Sequence, residues 1–454
     1  MNKNTKTVAM KYSRVPWIGE IPKHWKIIRL KYCLLSKRGA LKSGPFGSHL
    51  TSSEMNGNCI KVYNQRTVID QDFKAGENYI NEEKFLELKS FQVETGDILV
   101  TTRGTIGRTA IVPNDAENGI LHPCLIRIQV DENVIARKLL ALMIEKSSFV
   151  ASQLAYLSNA TTIDVIYSDN LKEIFLPVAP LIEQEELLDF LDRKTAAIDA
   201  LIAKEQRLIE LLEEKRSALI NQAVTKGLNP NVPMKHSGIP WIGEIPEDWD
   251  IKRLKFTCRL ETGHTPSRTE ESYWVPEECI IPWVSLNDTK TLAKSDYISE
   301  TKYKISPLGM ANSSAHLIEA GAVVFTRDAT IGLAAITTKP MAVSQHIIAW
   351  VCLPKMENRY LLYVLYSMVQ ELNSLTMGST LKTIGMADVK ELKTPVPPLA
   401  EQIEIANYIA KNRKKIEKIL FKVKTQIEKL QEYRQSLITA AVTGKLDITQ
   451  EEAA

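Results

Sequence analysis

Trp17-Ile18-Gly19-Glu20-Ile21-Pro22 stands near the start of the chain, and Trp241-Ile242-Gly243-Glu244-Ile245-Pro246 repeats it letter for letter in the second half. Trp25, Arg29, Leu30 and Lys31 return at the same offset as Trp249, Arg253, Leu254 and Lys255. A second shared passage closes each copy. Pro180-Leu181-Ile182-Glu183-Gln184 answers Pro398-Leu399-Ala400-Glu401-Gln402, and Ala223-Val224-Thr225 answers Ala441-Val442-Thr443 at an equal offset. The stretches between diverge heavily. A period of nearly half the chain marks a duplicated domain, because solenoid repeats run about 20–50 residues. A constant frame around two different inserts predicts two dissimilar recognition surfaces.

Each closing passage opens a predicted helix, from about 181 to 226 and from about 399 to 440. Positions 187, 191, 194, 198, 201, 205, 208, 212, 215 and 219 carry Leu or Ile at seven of ten places, the exceptions being Lys194, Glu205 and Lys215. Their counterparts in the second copy (405, 409, 412, 416, 419, 423, 426, 430, 433 and 437) are apolar or Tyr433 at eight, the exceptions being Asn412 and Gln426. A seam of period 3.5 seeks a partner helix, and two helices in the same register are each other's obvious partner. Packing of each helix on its own globule is the alternative. An antiparallel pair is expected, because Asn229-Pro230-Asn231-Val232-Pro233 ends the first helix and is too short to return the chain for a parallel one. About 40 helical residues would form a rod of about 60 Å. The expected fold class is α+β: two mixed α/β domains related by a pseudo-two-fold axis and joined by an antiparallel coiled coil. The expected divisions are 1–178, 179–228, 229–396 and 397–454. Phe91 to Thr102 and Gly119 to Val130 read as strands.

The 454 residues suffice for two domains with real cores, and 44% hydrophobic with 24% charged residues is ordinary globular composition. No run of 18 apolar residues occurs, so no membrane span is expected, and the lysine-rich start shows no secretory signal. Six scattered cysteines without a C-x-x-C pair read as reduced thiols of a cytoplasmic protein, and the seven histidines lack metal-ligand spacing. A net charge of +3 says little, but Ile21 to Leu50 holds no acid and seven basic residues. That block suits a polyanion or is simply a solvated face. No G-x-x-x-x-G-K-S/T loop is present, and the one Pro-Pro, Pro397-Pro398, lacks the neighbours of an adenine-methylating turn. A chain without catalysis of its own is expected.

Two variable domains, each introduced by W-I-G-x-I-P-x-x-W and followed by P-L-x-E-Q and a long helix, resemble the specificity subunits of type I restriction-modification systems. Ser43-Gly44-Pro45-Phe46-Gly47-Ser48 and Gly263-His264-Thr265-Pro266-Ser267-Arg268 are similar to opening loops of their target recognition domains. Arg103-Gly104-Thr105-Ile106-Gly107 and Arg327-Asp328-Ala329-Thr330-Ile331-Gly332 are similar to a turn after a core strand. The resemblance implies that each domain reads one half of a split double-stranded DNA target, with the helices setting the spacer, in bacterial defence. It further implies two methyltransferase subunits and two restriction/translocase subunits as partners. S-adenosylmethionine, ATP and Mg²⁺ would then sit on those partners, and this chain would bind no cofactor. A type IIB-like specificity subunit and a coiled-coil adaptor that binds no DNA are the rival readings.

Base edges specify and phosphates position, and arginine bidentate to guanine is the commonest specific contact. Arg103 and Arg327 each follow a strand ending in Thr and precede a Gly-containing turn, a rigid support for a long cation; capping a carboxylate is the plainer role. Thr105 and Thr330 lie in the same turns. Lys42, Ser43, Gly44 and Ser48 form one candidate contact loop, and Thr265, Ser267 and Arg268 another. Thr161 and Thr162, with Ser379, Thr380 and Lys382, precede each domain's final strand and could touch phosphate. Gly96 and Gly321 share one offset with Ile106 and Ile331, but the two arginines fall one position short of it, so their equivalence is inferred. Trp17, Trp25, Trp241 and Trp249 are expected to pin each globule to the helices, or to form a docking surface for the methyltransferase.

Overall fold

The computed structural model describes residues 9–46, 48–158, 165–377, 382–446 and 448. The chain folds as two units, residues 1–205 with 425–454, and residues 206–424. Two long helices, α1 (Leu181–Lys226) and α2 (Leu399–Val442), each contribute one end to each unit.

In the first unit, Leu187, Phe190, Leu191 and Ile198 of α1 share a core with Leu437, Ile438, Ala441 and Val442 of α2. Asp199 takes a bidentate pair from Arg434 at 2.8 and 3.0 Å, and Glu205 accepts from Gln426 at 3.1 Å. Moving forward along α1 therefore moves backward along α2, so the helices run antiparallel. In the second unit, Ile220, Ala223 and Val224 of α1 pack with Ile405, Ala406 and Ile409 of α2. Each shared Ala-Val-Thr passage thus closes the core of the unit built from the other copy's inserts. Ala441 and Val442 join Ile21 and Trp25, while Ala223 and Val224 join Ile245 and Trp249.

The seam differs from expectation by one residue on alternate turns. Ile202, Ile209 and Arg216 turn inward, leaving Leu201 and Leu208 exposed; on α2, Leu420, Ile427 and Arg434 replace Ile419, Gln426 and Tyr433. Adjacent apolar pairs such as Leu201-Ile202 and Ile419-Leu420 fit a 3-4 or a 4-3 spacing equally well. The helix ends embedded in the globular cores decide between them, and they do so identically in both helices.

The P-L-x-E-Q passages act as staples. Buried Gln184 accepts from the Ala136 amide (2.7 Å) and donates to the Val134 and Ala179 carbonyls (3.0 and 2.8 Å). Buried Gln402 does the same with the Glu357 amide (2.9 Å) and the Lys355 and Pro397 carbonyls (3.0 and 2.9 Å). Such groups would be costly to bury unpaired. The neighbouring glutamates receive the indole N–H of Trp25 (2.8 Å) and of Trp249 (2.9 Å). Trp25 and Trp249 therefore pin each globule to a helix, and half-buried Trp241 packs against the second core, whereas Trp17 is 39% exposed beside Tyr156. Arg29 and Lys31 clamp Glu173 as Arg253 and Lys255 clamp Glu391.

Beneath divergent sequence the two inserts build the same sheet. The first orders its antiparallel strands Leu41–Ser43, Leu125–Ile128, Ile98–Thr101, Thr109–Ile111. The second orders Cys258–Thr262, Ile347–Cys352, Val323–Thr326, Ala334–Thr337, with Tyr297–Ile298 added parallel at the edge. The runs read from sequence as single strands each break in two. Gln92–Val93 is separated from Ile98–Thr101 by a turn with Gly96 at φ 84°, and Gly119–Leu121 from Leu125–Ile128 by His122-Pro123-Cys124. Among the described residues no helix is long and apolar enough to cross a membrane.

Candidate nucleic-acid interface

In the first unit the turn after Ile98–Thr101 is latched by a hydroxyl. Thr101 Oγ1 donates to the Thr105 carbonyl at 2.5 Å and accepts from the Arg108 amide at 3.0 Å. Gly104 at φ 65° turns the chain in a conformation that favours glycine. The second unit repeats the latch from Thr326 to the Thr330 carbonyl and the Leu333 amide, with Ala329 at φ 61° in the glycine's place. Thr101 and Thr326 share the offset of Gly96 and Gly321, and the flanking bridges agree, Arg103 to Val165 and Asp328 to Thr383. Arg103 therefore corresponds to Asp328, and Thr102 to Arg327. The arginines are not equivalent; the positive-φ position and the threonine latch fix the alignment.

The consequence is chemical. Arg103 is exposed, its side chain has no ion-pair partner among the described residues, and Gln65 anchors its carbonyl at 2.8 Å. Arg327 is turned inward. Its guanidinium donates to the Gln345 carbonyl (3.1 Å) and the Ile384 carbonyl (3.4 Å) and lies 3.8 Å from the buried Asp328 carboxylate.

The opening loops reach the same sheet end in each unit. The Gly44 amide donates to the Leu125 carbonyl and the Thr102 amide to that of Cys124, so Gly44 and the Arg103 turn flank one connection. A Cβ on Gly44 would collide with the His122 carbonyl, and one on Gly263 with that of Val343, so each loop leaves its sheet through a gap only glycine fits. Lys42 is on a strand with its ammonium 4.2 Å from the Phe91 ring centre; burial, then Arg127 and Arg38, lower its pKa. Ser43 is half-buried, and Ser48 and Thr105 are exposed.

In the second unit Ser267 and Arg268 are exposed on a loop braced by tryptophans. Trp274 donates to the Ser267 carbonyl (2.8 Å) beneath the Arg268 guanidinium, and Trp283 donates to the His264 carbonyl (3.2 Å). Thr265 bonds Gln345 at 2.7 Å. Thr330 and Lys382 are exposed, and the Lys382 carbonyl accepts from the Ala329 amide at 2.9 Å. Thr161, Thr162, Ser379 and Thr380 lie outside the described residues. Sequence reasoning missed Gln65, Asp328, Gln345 and His346. A polar Gln345-His346 pair between apolar Ala342-Val343 and Ile347-Ile348 was the available signal.

The profile of the type I restriction modification DNA specificity domain matches residues 50–212 and 246–429, most of the chain. The chain belongs to that family, the specificity subunits of type I restriction-modification systems. It is 24% identical over 450 residues to the type I restriction enzyme MjaX specificity subunit of Methanocaldococcus jannaschii, covering 95% of this chain and 96% of that one. Its fold is similar to a chain from a structure addressing complex assembly and conformational transition of the type I R-M system (TM-score 0.70, 16% identity, 94% and 99% coverage). It is also similar to the HsdS subunit of Thermoanaerobacter tengcongensis (TM-score 0.54, 16% identity, 94% and 98% coverage).

Proposed function

We propose that each unit reads one half of a bipartite duplex and that α1 and α2 fix the spacer between the halves. The observation carrying this reading is that one sheet end, built identically in both units, presents different chemistry. The first offers the exposed Arg103 guanidinium with Thr105 and Ser48, and the second offers Arg268, Ser267, Thr330 and Lys382 around the Thr265–Gln345 pair. Equal scaffolds with unequal tips are what an asymmetric target requires. Arg103 is assigned to a guanine edge, whose O6 and N7 accept its two parallel N–H groups. Lys42, Ser43 and Gly44 support the backbone path, and Thr161, Thr162, Ser379 and Thr380 contribute phosphate contacts.

In this reading the chain performs no chemistry. Methyltransferase subunits and restriction/translocase subunits, two of each, assemble on it in the cytoplasm and carry S-adenosylmethionine, ATP and Mg²⁺. Competition binding of the chain with its methyltransferase partner, on randomised duplexes, tests the proposal. Two short constant blocks around an unread gap are expected; one continuous block, or none, overturns it.

A further inference from the structure

The described part of the second unit contains a directed chain of hydrogen bonds at the proposed DNA-facing end. Asp328 is 5% exposed, and its Oδ2 lies 2.5 Å from His346 Nδ1. A carboxylate only accepts, so Nδ1 donates, and in the neutral tautomer that carries this proton Nε2 is an acceptor. Gln345 Nε2 is 3.2 Å from that atom, and Gln345 Oε1 accepts from Thr265 Oγ1 at 2.7 Å. Arg327 holds the same segment by its backbone, donating its amide to the His346 carbonyl and its Nε to the Gln345 carbonyl.

Every group in this chain fixes the next, and it ends on a half-buried amide whose orientation is set. Among the described residues, one N–H and one oxygen lone pair of the Gln345 amide take no partner. Adenine alone presents the complementary pair in the major groove, N7 to accept and N6–H to donate. We infer that Gln345 is the adenine-reading residue of the second unit, and that Thr265, His346 and Asp328 are positioning residues that orient its amide. The inference rests on the DNA-recognition reading above. It assigns base and atoms where that reading assigns only a half-site.

The test uses the full chain with its methyltransferase partner and duplexes in which each base pair of the second half is replaced in turn. Gln345→Ala is expected to erase discrimination at one A·T pair by about 5- to 150-fold, leaving other positions unchanged. The isosteric Gln345→Glu, which loses the donor pair, should shift that position towards cytosine, and Asp328→Asn should blunt the same position. Placing 7-deazaadenine there should weaken the wild type and not Gln345→Ala. Unchanged preferences in both Gln345 variants, or equal weakening on every duplex while the wild type stays selective, overturns the inference. A wild type without any sequence preference overturns the DNA-recognition reading as well.

Discussion

Replacing Arg103 or Arg327 by alanine should have opposite consequences, although both occupy a similar sequence pattern. Arg103 is exposed and its side chain has no ion pair among the described residues, so Arg103→Ala should change stability by no more than about 0.5 kcal/mol. Its loss should appear in recognition, where one bidentate contact supplies about 1–3 kcal/mol, about 5- to 150-fold at one base pair. Arg327 donates to two backbone carbonyls and lies 3.8 Å from a buried carboxylate. Arg327→Ala leaves Asp328 without its nearby cation, and charged hydrogen bonds of this kind contribute about 1.5–3 kcal/mol. For a unit of this size that lowers the melting midpoint by roughly 3–10 °C. Thermal unfolding and competition binding at fixed salt read both quantities. Equal weakening of all duplexes by Arg103→Ala, with the salt slope reduced by about one, would mark a phosphate contact and exclude the base-edge role. An unmoved midpoint in Arg327→Ala would exclude the structural role of that guanidinium.

Gln184→Ala should orphan the Ala136 amide and two carbonyls, and Gln402→Ala their counterparts, each costing about 2–4 kcal/mol in denaturant unfolding. Near-neutral variants would show that water replaces the amide. Lys31 and Lys255, by hydrogen bonds, hold the Glu173 and Glu391 carboxyls below the usual carboxylate range. A lowered folded-state pKa stabilises above the unfolded value and is lost as pH falls through the folded one. The wild type should therefore lose more stability from about pH 5 to pH 3 than the Glu173→Gln/Glu391→Gln double variant; parallel pH profiles would contradict this.

The duplication made the frame legible, because identical passages recurring at fixed offsets must build identical local structure. It also made the paired helices legible, since both carry one seam pattern. The seam's phase was not, as Leu201 and Ile202 are equally apolar and only the cores at the helix ends choose between them. The reading heads were legible as loops but not as chemistry. Arg103 and Arg327 look alike in sequence, yet a threonine latch and one positive-φ residue place Asp328, not Arg327, opposite Arg103. Gln345 and His346 stayed hidden because their partners Thr265 and Asp328 come from distant segments.

The antiparallel helices are proposed to measure the gap between two independently read half-sites. Because Glu205 meets Gln426, lengthening the pair in register requires one heptad inserted after Glu205 and another before Gln426. One heptad adds about 10 Å, or about three base pairs at about 3.4 Å each. Sequencing of methylated bases in cells expressing this variant with its partner subunits should return both wild-type half-sites, with the unread gap about three base pairs longer. An unchanged gap, or altered half-sites, would show that the helices do not set the spacer.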